Sequence, residues 1–232
     1  MNLRKIKIMY KNKIEGKKLT FSEFIHRGHF IYFLYNDLYT QIVDRKIAGQ
    51  SLKQMLGNNG EHYFPVQSGN YRILRELIKE LQIDSDDVFV DVGSGWGRLI
   101  GFLREKGFTP KHYYGIELNH DAAAFSKNIF NDARDVTIIE GNAVEVLIPE
   151  ATVFLLFNPF DGKVLSDFLD HIEDNYENAR IYYLHSVFEE EFTKRKDKWL
   201  LKKRVFLKPK YHIDVVLCEY RLMKNMEGKE IS

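Results

Sequence analysis

The sequence lacks the features that mark several classes of protein. Cys218 is its single cysteine, so no internal disulfide can form, and we expect a reducing compartment, the cytoplasm. Lys and Arg number 34 against 33 Asp and Glu, which gives no global basic field for DNA or RNA. The basic N-terminal stretch 1–18 has no apolar core of signal-peptide length. The aromatic stretch 29–39 is too short and interrupted to span a bilayer, so we expect a soluble protein.

From Val88 onward, apolar runs of strand length alternate with segments of helix length. The runs are 88–92, 113–116, 136–139, 153–157, 181–184 and 215–218, and the predicted helices are 98–106, 121–131, 143–147 and 164–178. This alternation predicts an α/β, doubly wound fold with a mostly parallel sheet and helices on both faces. The last runs, near 200–206 and 214–220, are separated by LKPKYHI. That link is too short for a crossover helix and predicts an antiparallel hairpin at the sheet edge.

The chain before Val88 has a different pattern. The stretch NYRILRELIKELQI at 70–83 has apolar residues at helical spacing, and residues 20–56 are aromatic-rich and mostly helical in pattern. We therefore divide the chain into an N-terminal helical extension or lid, 1–62, and a Rossmann-like domain, 63–232.

Three alternate glycines follow the strand that begins at Val88, in the stretch VFVDVGSGWGRLIGFL. A strand, a glycine turn and a helix form a nucleotide-type site, because glycines let the backbone approach a ligand and the helix start offers free N–H groups. In open α/β sheets such ligands lie at the carboxyl ends of the strands. The spacing departs from the dinucleotide fingerprint, since Arg98 holds the third-glycine position. No P-loop ending is present either. An NAD-linked oxidoreductase is therefore disfavoured.

The stretch DVGSGWG resembles motif I of class I S-adenosylmethionine (SAM)-dependent methyltransferases. Three more stretches match that family in order, each at the carboxyl end of a predicted strand: YYGIELN, TIIEGNAVE and LLFNPFD. A narrower resemblance, carried by VDRKIAGQS, YFPVQSGNYRILRELI and FNPF, is to a group of small bacterial methyltransferases with an N-P-F motif. The resemblance implies a seven-stranded sheet of order 3-2-1-4-5-7-6 whose last strand is antiparallel, with SAM as cofactor and S-adenosylhomocysteine (SAH) as product.

The resemblance also implies a set of cofactor-binding residues. Asp91 orders the glycine turn and the methionine end of the cofactor, Glu117 accepts the ribose hydroxyls, and Asn142 meets the adenine edge. The remaining expected contacts are Gln67, Gly93, Ser94, Gly95, Gly97, Leu118, Ala143 and Asn158. Arg98 pairs with a carboxylate, such as that of SAM, or is a solvated residue of the first helical turn.

The stretch Asn158-Pro159-Phe160 resembles a shortened N-P-P-[YF] motif of amine-directed methyltransferases. There the Asn oxygen accepts a hydrogen bond from a planar nitrogen and the aromatic ring packs on the acceptor. The alternative is that these residues only shape the loop and cover the cofactor. His185 ends the predicted fifth strand and is a candidate general base, or a packed or solvated histidine. Asp161 is a base or the N-cap of the next helix.

We expect no metal site, because the histidines form no helical ligand pair with acidic partners. The basic run 194–204 meets an anionic acceptor or RNA, or is a solvated surface balanced by Glu189–Glu191. The favoured function is methyl transfer from SAM to an unidentified acceptor, with nitrogen slightly ahead of oxygen. The alternative is a non-catalytic SAM- or SAH-binding module that acts through a partner.

Overall fold

A computed structural model describes residues 29–52, 62–63, 66, 69–210 and 212–223. Gln67 and parts of the predicted helical region 20–56 lie outside these described residues. The chain divides into two compact units, Met1–Ile42 and Val43–Ser232. The domain boundary predicted after residue 62 stays a prediction.

The described helices and strands alternate along the second unit as the sequence predicts. The helices are α1 (His29–Ala48), α2 (Tyr71–Leu77), α3 (Arg98–Glu105), α4 (His120–Ile129), α5 (Gly162–Asn175) and α6 (Glu190–Thr193). The strands are β1 (Val88–Val92), β2 (His112–Glu117), β3 (Val136–Glu140), β4 (Val153–Phe157), β5 (Arg180–Leu184), β6 (Trp199–Leu207) and β7 (Val215–Leu222). The residues of α1 up to Ile42 belong to the first unit. Within it, the Asn36 side chain donates to the Tyr32 carbonyl at 2.7 Å.

The strands form one seven-stranded sheet of order β3-β2-β1-β4-β5-β7-β6. β1 to β5 are parallel, and β7 is antiparallel to both β5 and β6. The predicted order, the parallel core and the antiparallel edge hairpin are therefore confirmed. Every residue of β1 is buried, as expected for a central parallel strand covered on both faces.

Local capping decides where several helices begin. Asn70 accepts a hydrogen bond from the Arg72 N–H at 3.0 Å and starts α2. Asp161 accepts hydrogen bonds from the N–H groups of Lys163 and Val164, both at 3.1 Å, and starts α5. The N-cap interpretation of Asp161 is thus confirmed.

The helix predicted at 143–147 is wrong. Residues 143–145 form a single turn, in which the N–H groups of Glu145 and Val146 both donate to the Asn142 carbonyl. The turn does not propagate, because the next backbone groups have tertiary partners. The Val146 carbonyl bonds His171 at 3.1 Å, and the Ile148 N–H donates to the Tyr176 hydroxyl at 3.1 Å.

Among the described residues, no helix is long and apolar enough to cross a membrane.

The main apolar core lies between the sheet and α5 and includes Phe154, Phe168 and Ile172.

Candidate active site

The candidate residues meet at one edge of the sheet. Because β1 to β5 are parallel, their carboxyl ends lie side by side. At or just after these ends the structure brings together the glycine turn of β1, Glu117 of β2, Asn142 after β3, Asn158 after β4 and His185 after β5.

The glycine turn packs closely against the loop after β4. Gly93 has φ +76°, and a Cβ built on it would lie 2.8 Å from Cβ of Pro159. Any side chain at position 93 would therefore be strained by its backbone and would displace Pro159. The N–H groups of Gly93 and Ser94 both donate to the Ile116 carbonyl, at 2.9 and 3.0 Å, which fixes the turn to β2.

Glu117 is a buried carboxylate that helps to build the turn. One of its oxygens accepts from the Gly95 N–H at 2.7 Å and the other from the Asn119 N–H at 2.8 Å. Burial raises the pKa of Glu117, although hydrogen bonds from the N–H groups of Asn119, Gly95 and Leu118 act to lower it. Each carboxylate oxygen can accept a second hydrogen bond, so Glu117 can take two ligand hydroxyls without giving up the turn.

Asp91 is buried on β1 near Glu117. No hydrogen bond or ion pair to its carboxylate is found in the part of the chain that the structure describes. Burial, together with the like charge of Glu117, raises the pKa of Asp91 to about 8. At neutral pH the free protein therefore holds Asp91 largely protonated, and a nearby positive charge would favour its ionised form. Two acids without a cationic partner among the described residues fit a cationic ligand, and SAM carries both a sulfonium and an ammonium group.

Arg98 does pair with a carboxylate, as one interpretation predicted, but that carboxylate belongs to Asp44. The interpretation of Arg98 as a solvated residue is wrong. Its side chain is 6% exposed, and Nε and Nη2 donate to the two carboxylate oxygens of Asp44 at 3.1 and 2.8 Å. Nη1 donates to the Gly69 carbonyl at 3.0 Å, and the guanidinium lies over the Tyr71 ring. Asp44 also accepts from the Tyr71 hydroxyl at 2.8 Å and the Leu52 N–H at 3.0 Å.

This anchor, defined by Asp44, Arg98 and Tyr71, was not predicted from the sequence. Asp44 lies 54 positions before Arg98, and no local motif connects them. The only signal in the sequence was an arginine at the first helical position with no acid nearby. The anchor ties the C-terminal part of α1 to the helix that follows the glycine turn.

Two polar atoms of the glycine turn are buried and have no hydrogen-bond partner among the described residues: the Ser94 hydroxyl and the Trp96 indole nitrogen. Ser94 points toward β2, since a Cβ on Gly115 would lie 2.8 Å from its Oγ. Trp96 packs in an apolar cluster with Leu52 and Val66 and makes an edge contact with Phe125. Ser94 thus lies against the sheet, and its predicted cofactor contact stays a prediction.

The adenine side of the predicted site is formed by Asn142, Ala143 and Leu118. Asn142 Oδ1 accepts from the Tyr63 hydroxyl at 3.4 Å and the Val144 N–H at 3.3 Å. Ala143 is buried and Leu118 is half-buried. The Asn142 side chain therefore shapes its own turn, and its predicted contact with adenine stays a prediction.

The loop after β4 carries the predicted acceptor residues. Asn158 is half-buried, has φ +46° and accepts from the Tyr183 hydroxyl at 3.1 Å through Oδ1. Phe160 is buried, packs against Phe168 and pairs through a backbone bridge with Tyr63. His185 is exposed, with φ +55°.

Asp161 is engaged beyond its capping role. Its second oxygen lies 2.7 Å from Nδ1 of His62. Burial acts to raise the pKa of Asp161. The Val164 N–H and His62 outweigh it and hold that pKa below its usual range. The carboxylate therefore stays ionised near neutral pH and is a poor proton acceptor.

The basic run 194–204 is balanced by carboxylates of the same surface. Five of its cations form ion pairs of 3.2 Å or less: Lys194–Glu191, Arg195–Asp170, Lys198–Glu173, Lys203–Glu80 and Arg204–Glu189. These pairs favour the interpretation of the run as a locally neutral surface.

Within residues 29–52, 62–63, 66, 69–210 and 212–223, no group of three or more His, Cys, Asp or Glu side chains could hold a metal.

The chain can now be compared with known proteins. Residues 68–205, more than half of the 232-residue chain, match the family described as histone methylation protein DOT1. The chain belongs to the DOT1 family. This confirms the predicted methyltransferase class at the level of family and fold. The narrower bacterial group with an N-P-F motif is not confirmed.

A relative and two solved structures add to the DOT1 match. A protein-lysine N-methyltransferase of Saccharolobus islandicus is 32% identical over 91 residues. That match covers 37% of this chain and 55%, about half, of the relative's length. The B. subtilis tRNA methyltransferase TrmK superposes with TM-score 0.54 at 15% identity, covering 69% of this chain and 70% of TrmK. A SAM-dependent methyltransferase from Aquifex aeolicus superposes with TM-score 0.52 at 12% identity. The superposition covers 65% of this chain and 89% of the Aquifex protein. These two structures share the fold.

Proposed function

We propose that the protein is a SAM-dependent methyltransferase that modifies the side-chain amine of lysine in a protein acceptor. The observation that carries this is the DOT1 match over residues 68–205, together with the 32% identity to a protein-lysine N-methyltransferase. The sequence motifs alone favour nitrogen only slightly over oxygen. The DOT1 relationship is the reason to choose an amine.

The charge distribution at the sheet edge supports SAM as the cofactor. Asp91 and Glu117 are buried acids next to a glycine turn, and neither has a cationic partner in the described chain. Glu117 would accept the ribose hydroxyls through its remaining lone pairs. Asp91 would face the cationic methionine end. Both acids would lose part of their burial cost when a cation binds.

Bound SAM would supply the methyl group: the amine lone pair forms the new C–N bond as the C–S bond breaks and its electrons pass to sulfur. The protein's task is to align the acceptor, because alignment is the main source of rate in such displacements. Asn158 would hold the amine through Oδ1, with Pro159 shaping the loop and Phe160 packing beneath it. His185, exposed at the neighbouring strand end, would receive the proton that the amine gives up.

The first experiment is calorimetric titration of SAH into the wild type and Glu117→Ala. We expect micromolar binding that is lost in the variant. Lysine-rich proteins are then incubated with SAM carrying a labelled methyl group, and labelled residues are identified by mass spectrometry. Methyl-lysine is the expected product. Label on RNA or on a carboxyl group would overturn the lysine assignment.

The same experiment separates the alternative, a non-catalytic SAH-binding module. That alternative predicts SAH binding with no transfer to any acceptor class. The shortened N-P-F motif is the observation that favours it, because one proline of the amine-directed pattern is missing. Transfer of label to lysine that is slowed, but still measurable, in Asn158→Ala would exclude it.

A further inference from the structure

Two strand ends at the acceptor side share an uncommon backbone conformation. Among the described non-glycine residues, those with positive φ are Asn158, at +46°, and His185, at +55°. Asn158 follows β4 and His185 follows β5, and the last residues of these strands, Phe157 and Leu184, are direct neighbours in register. Positive φ in non-glycine residues costs free energy and concentrates at functional sites. Something must therefore hold these ends in place.

The Tyr183 hydroxyl is the group that bridges the two strand ends. It donates to Asn158 Oδ1 at 3.1 Å and accepts from the Phe188 N–H at 3.3 Å. The Tyr183 ring is buried in the main core and contacts Phe192. Burial raises the pKa of Tyr183 to about 12, so the hydroxyl keeps its proton and stays a donor at neutral pH.

This contact fixes the orientation of the Asn158 carboxamide. A hydroxyl that already accepts from a backbone N–H directs its proton to an acceptor, and in asparagine only Oδ1 can accept. The amide oxygen therefore stays on the Tyr183 side, and one of its two lone pairs remains for another donor. Without Tyr183, rotation about the side-chain torsions would exchange this oxygen for the amide nitrogen.

We propose that Tyr183 is a positioning residue, which holds the Asn158 carboxamide so that its second lone pair receives the acceptor amine. The inference rests on the proposed function for the identity of the donor. The orientation of Asn158 does not depend on that identity. Tyr183 itself contacts neither acceptor nor cofactor in this scheme and acts only through Asn158.

The neighbouring residue offers a matched control. Tyr182 is also fully buried on β5, and its hydroxyl also accepts from a backbone N–H, that of Gln82 at 3.1 Å. It donates to the Gln82 carbonyl at 3.4 Å, on the opposite face of the sheet from Tyr183. Tyr182→Phe and Tyr183→Phe thus remove the same group from the same strand.

The kinetic test compares these two variants with labelled SAM and the lysine acceptor. We expect Tyr183→Phe to lower kcat about tenfold while the Kd for SAH and the Tm change no more than in Tyr182→Phe. In an Asn158→Ala background, adding Tyr183→Phe should change kcat less than about twofold, because the two residues act as one unit. Equal kcat losses in the two Tyr variants, or a full additive loss in the Asn158→Ala background, would overturn the proposal.

A second measurement separates this inference from the proposed function. The side-chain amide signals of Asn158 are assigned in the ¹⁵N spectrum by their loss in Asn158→Asp. We expect Tyr183→Phe to shift or broaden them and Tyr182→Phe to leave them unchanged. A wild type that methylates no lysine would refute the proposed function. Unchanged Asn158 signals in Tyr183→Phe would refute the positioning role, whether or not methyl transfer is seen.

Discussion

Two buried aspartates, Asp44 and Asp91, have opposite surroundings. Asp44 accepts four hydrogen bonds, two of them from the guanidinium of Arg98. Asp91 has no such partner in the described residues and lies near a second acid, Glu117, which helps to raise the pKa of Asp91 to about 8. The described residues supply a cationic partner for Asp44 and none for Asp91.

The difference distinguishes a structural charge from a binding charge. A buried ion pair with further hydrogen bonds holds two parts of a chain together, and removing one member leaves the other unpaired. A buried acid without a counter-ion costs stability in the free protein. That cost is recovered when a cation arrives. The anchor around Asp44 and the cofactor edge around Asp91 should therefore respond to mutation in opposite ways.

The largest effect is expected at the anchor. Asp44→Ala leaves the Arg98 guanidinium buried and unpaired, so the free energy of unfolding should fall by about 3–5 kcal/mol. Urea denaturation followed by circular dichroism measures this loss. The control is Glu105→Ala, which removes only the exposed ion pair with Lys46 and should cost at most about 1 kcal/mol. A similar small loss in Asp44→Ala would mean that the anchor does not stabilise the fold.

The next effect concerns ligand affinity at Glu117. Glu117→Gln keeps the side-chain shape but removes the charge that strengthens hydrogen bonds to ribose hydroxyls. We expect the Kd for SAH to rise roughly 10- to 100-fold, equivalent to about 1.5–3 kcal/mol. Calorimetric titration measures it, with Glu140→Gln on the exposed end of β3 as control. Unchanged affinity in Glu117→Gln would remove this carboxylate from the cofactor site.

Smaller effects are expected at Asp91, where one substitution should maintain or raise Tm and weaken SAH binding. Asp91→Asn removes a buried carboxyl whose ionised form has no compensating cation in the free protein, so Tm of the free protein should hold or rise. The same change should weaken SAH binding about tenfold, because SAH keeps the ammonium group of the methionine end. Thermal unfolding with and without saturating SAH reports both quantities. A fall in Tm without ligand would show that Asp91 is a structural charge like Asp44.

The smallest effect on ligand affinity is a pH dependence carried by the same residue. The folded-state pKa of Asp91 is raised from 3.8 to about 8, so the folded chain holds a proton that the unfolded chain has released. Its contribution to stability is therefore full below about pH 4 and is lost as pH rises to about 8. SAH binding should strengthen over the same range, by a few-fold per pH unit. Titrations at pH 6, 7 and 8 test this, and Asp91→Asn should flatten the slope.

The sequence predicted the parts of the molecule that depend on local pattern. The parallel core and the edge hairpin around β7 followed from the alternating runs. The order of the strands and the place of Glu117 beside the glycine turn followed from the resemblance to class I methyltransferases. The Asp44–Arg98 pair did not, because it joins residues 54 positions apart that share no motif. The turn at 143–145 was missed for a related reason: its helix-like composition is overridden by His171 and Tyr176, which are supplied by α5 and the segment after it.

The hydrogen bond between Tyr183 and Asn158 could not be predicted from the sequence either. Both residues were visible in the sequence, one as an apolar strand residue and the other as a motif residue. Their meeting depends on the register of β4 against β5 and on the left-handed backbone of Asn158, and neither can be read from a local pattern.

The position of β7 has a consequence for synthesis of the chain. β6 pairs with β7 alone, while β7 also covers the outer side of β5. During translation β6 leaves the ribosome before the strand that it needs, and until β7 follows, β5 presents an unpaired edge to other nascent chains. We therefore expect released chains that end between residues 207 and 215 to aggregate more readily than the full chain.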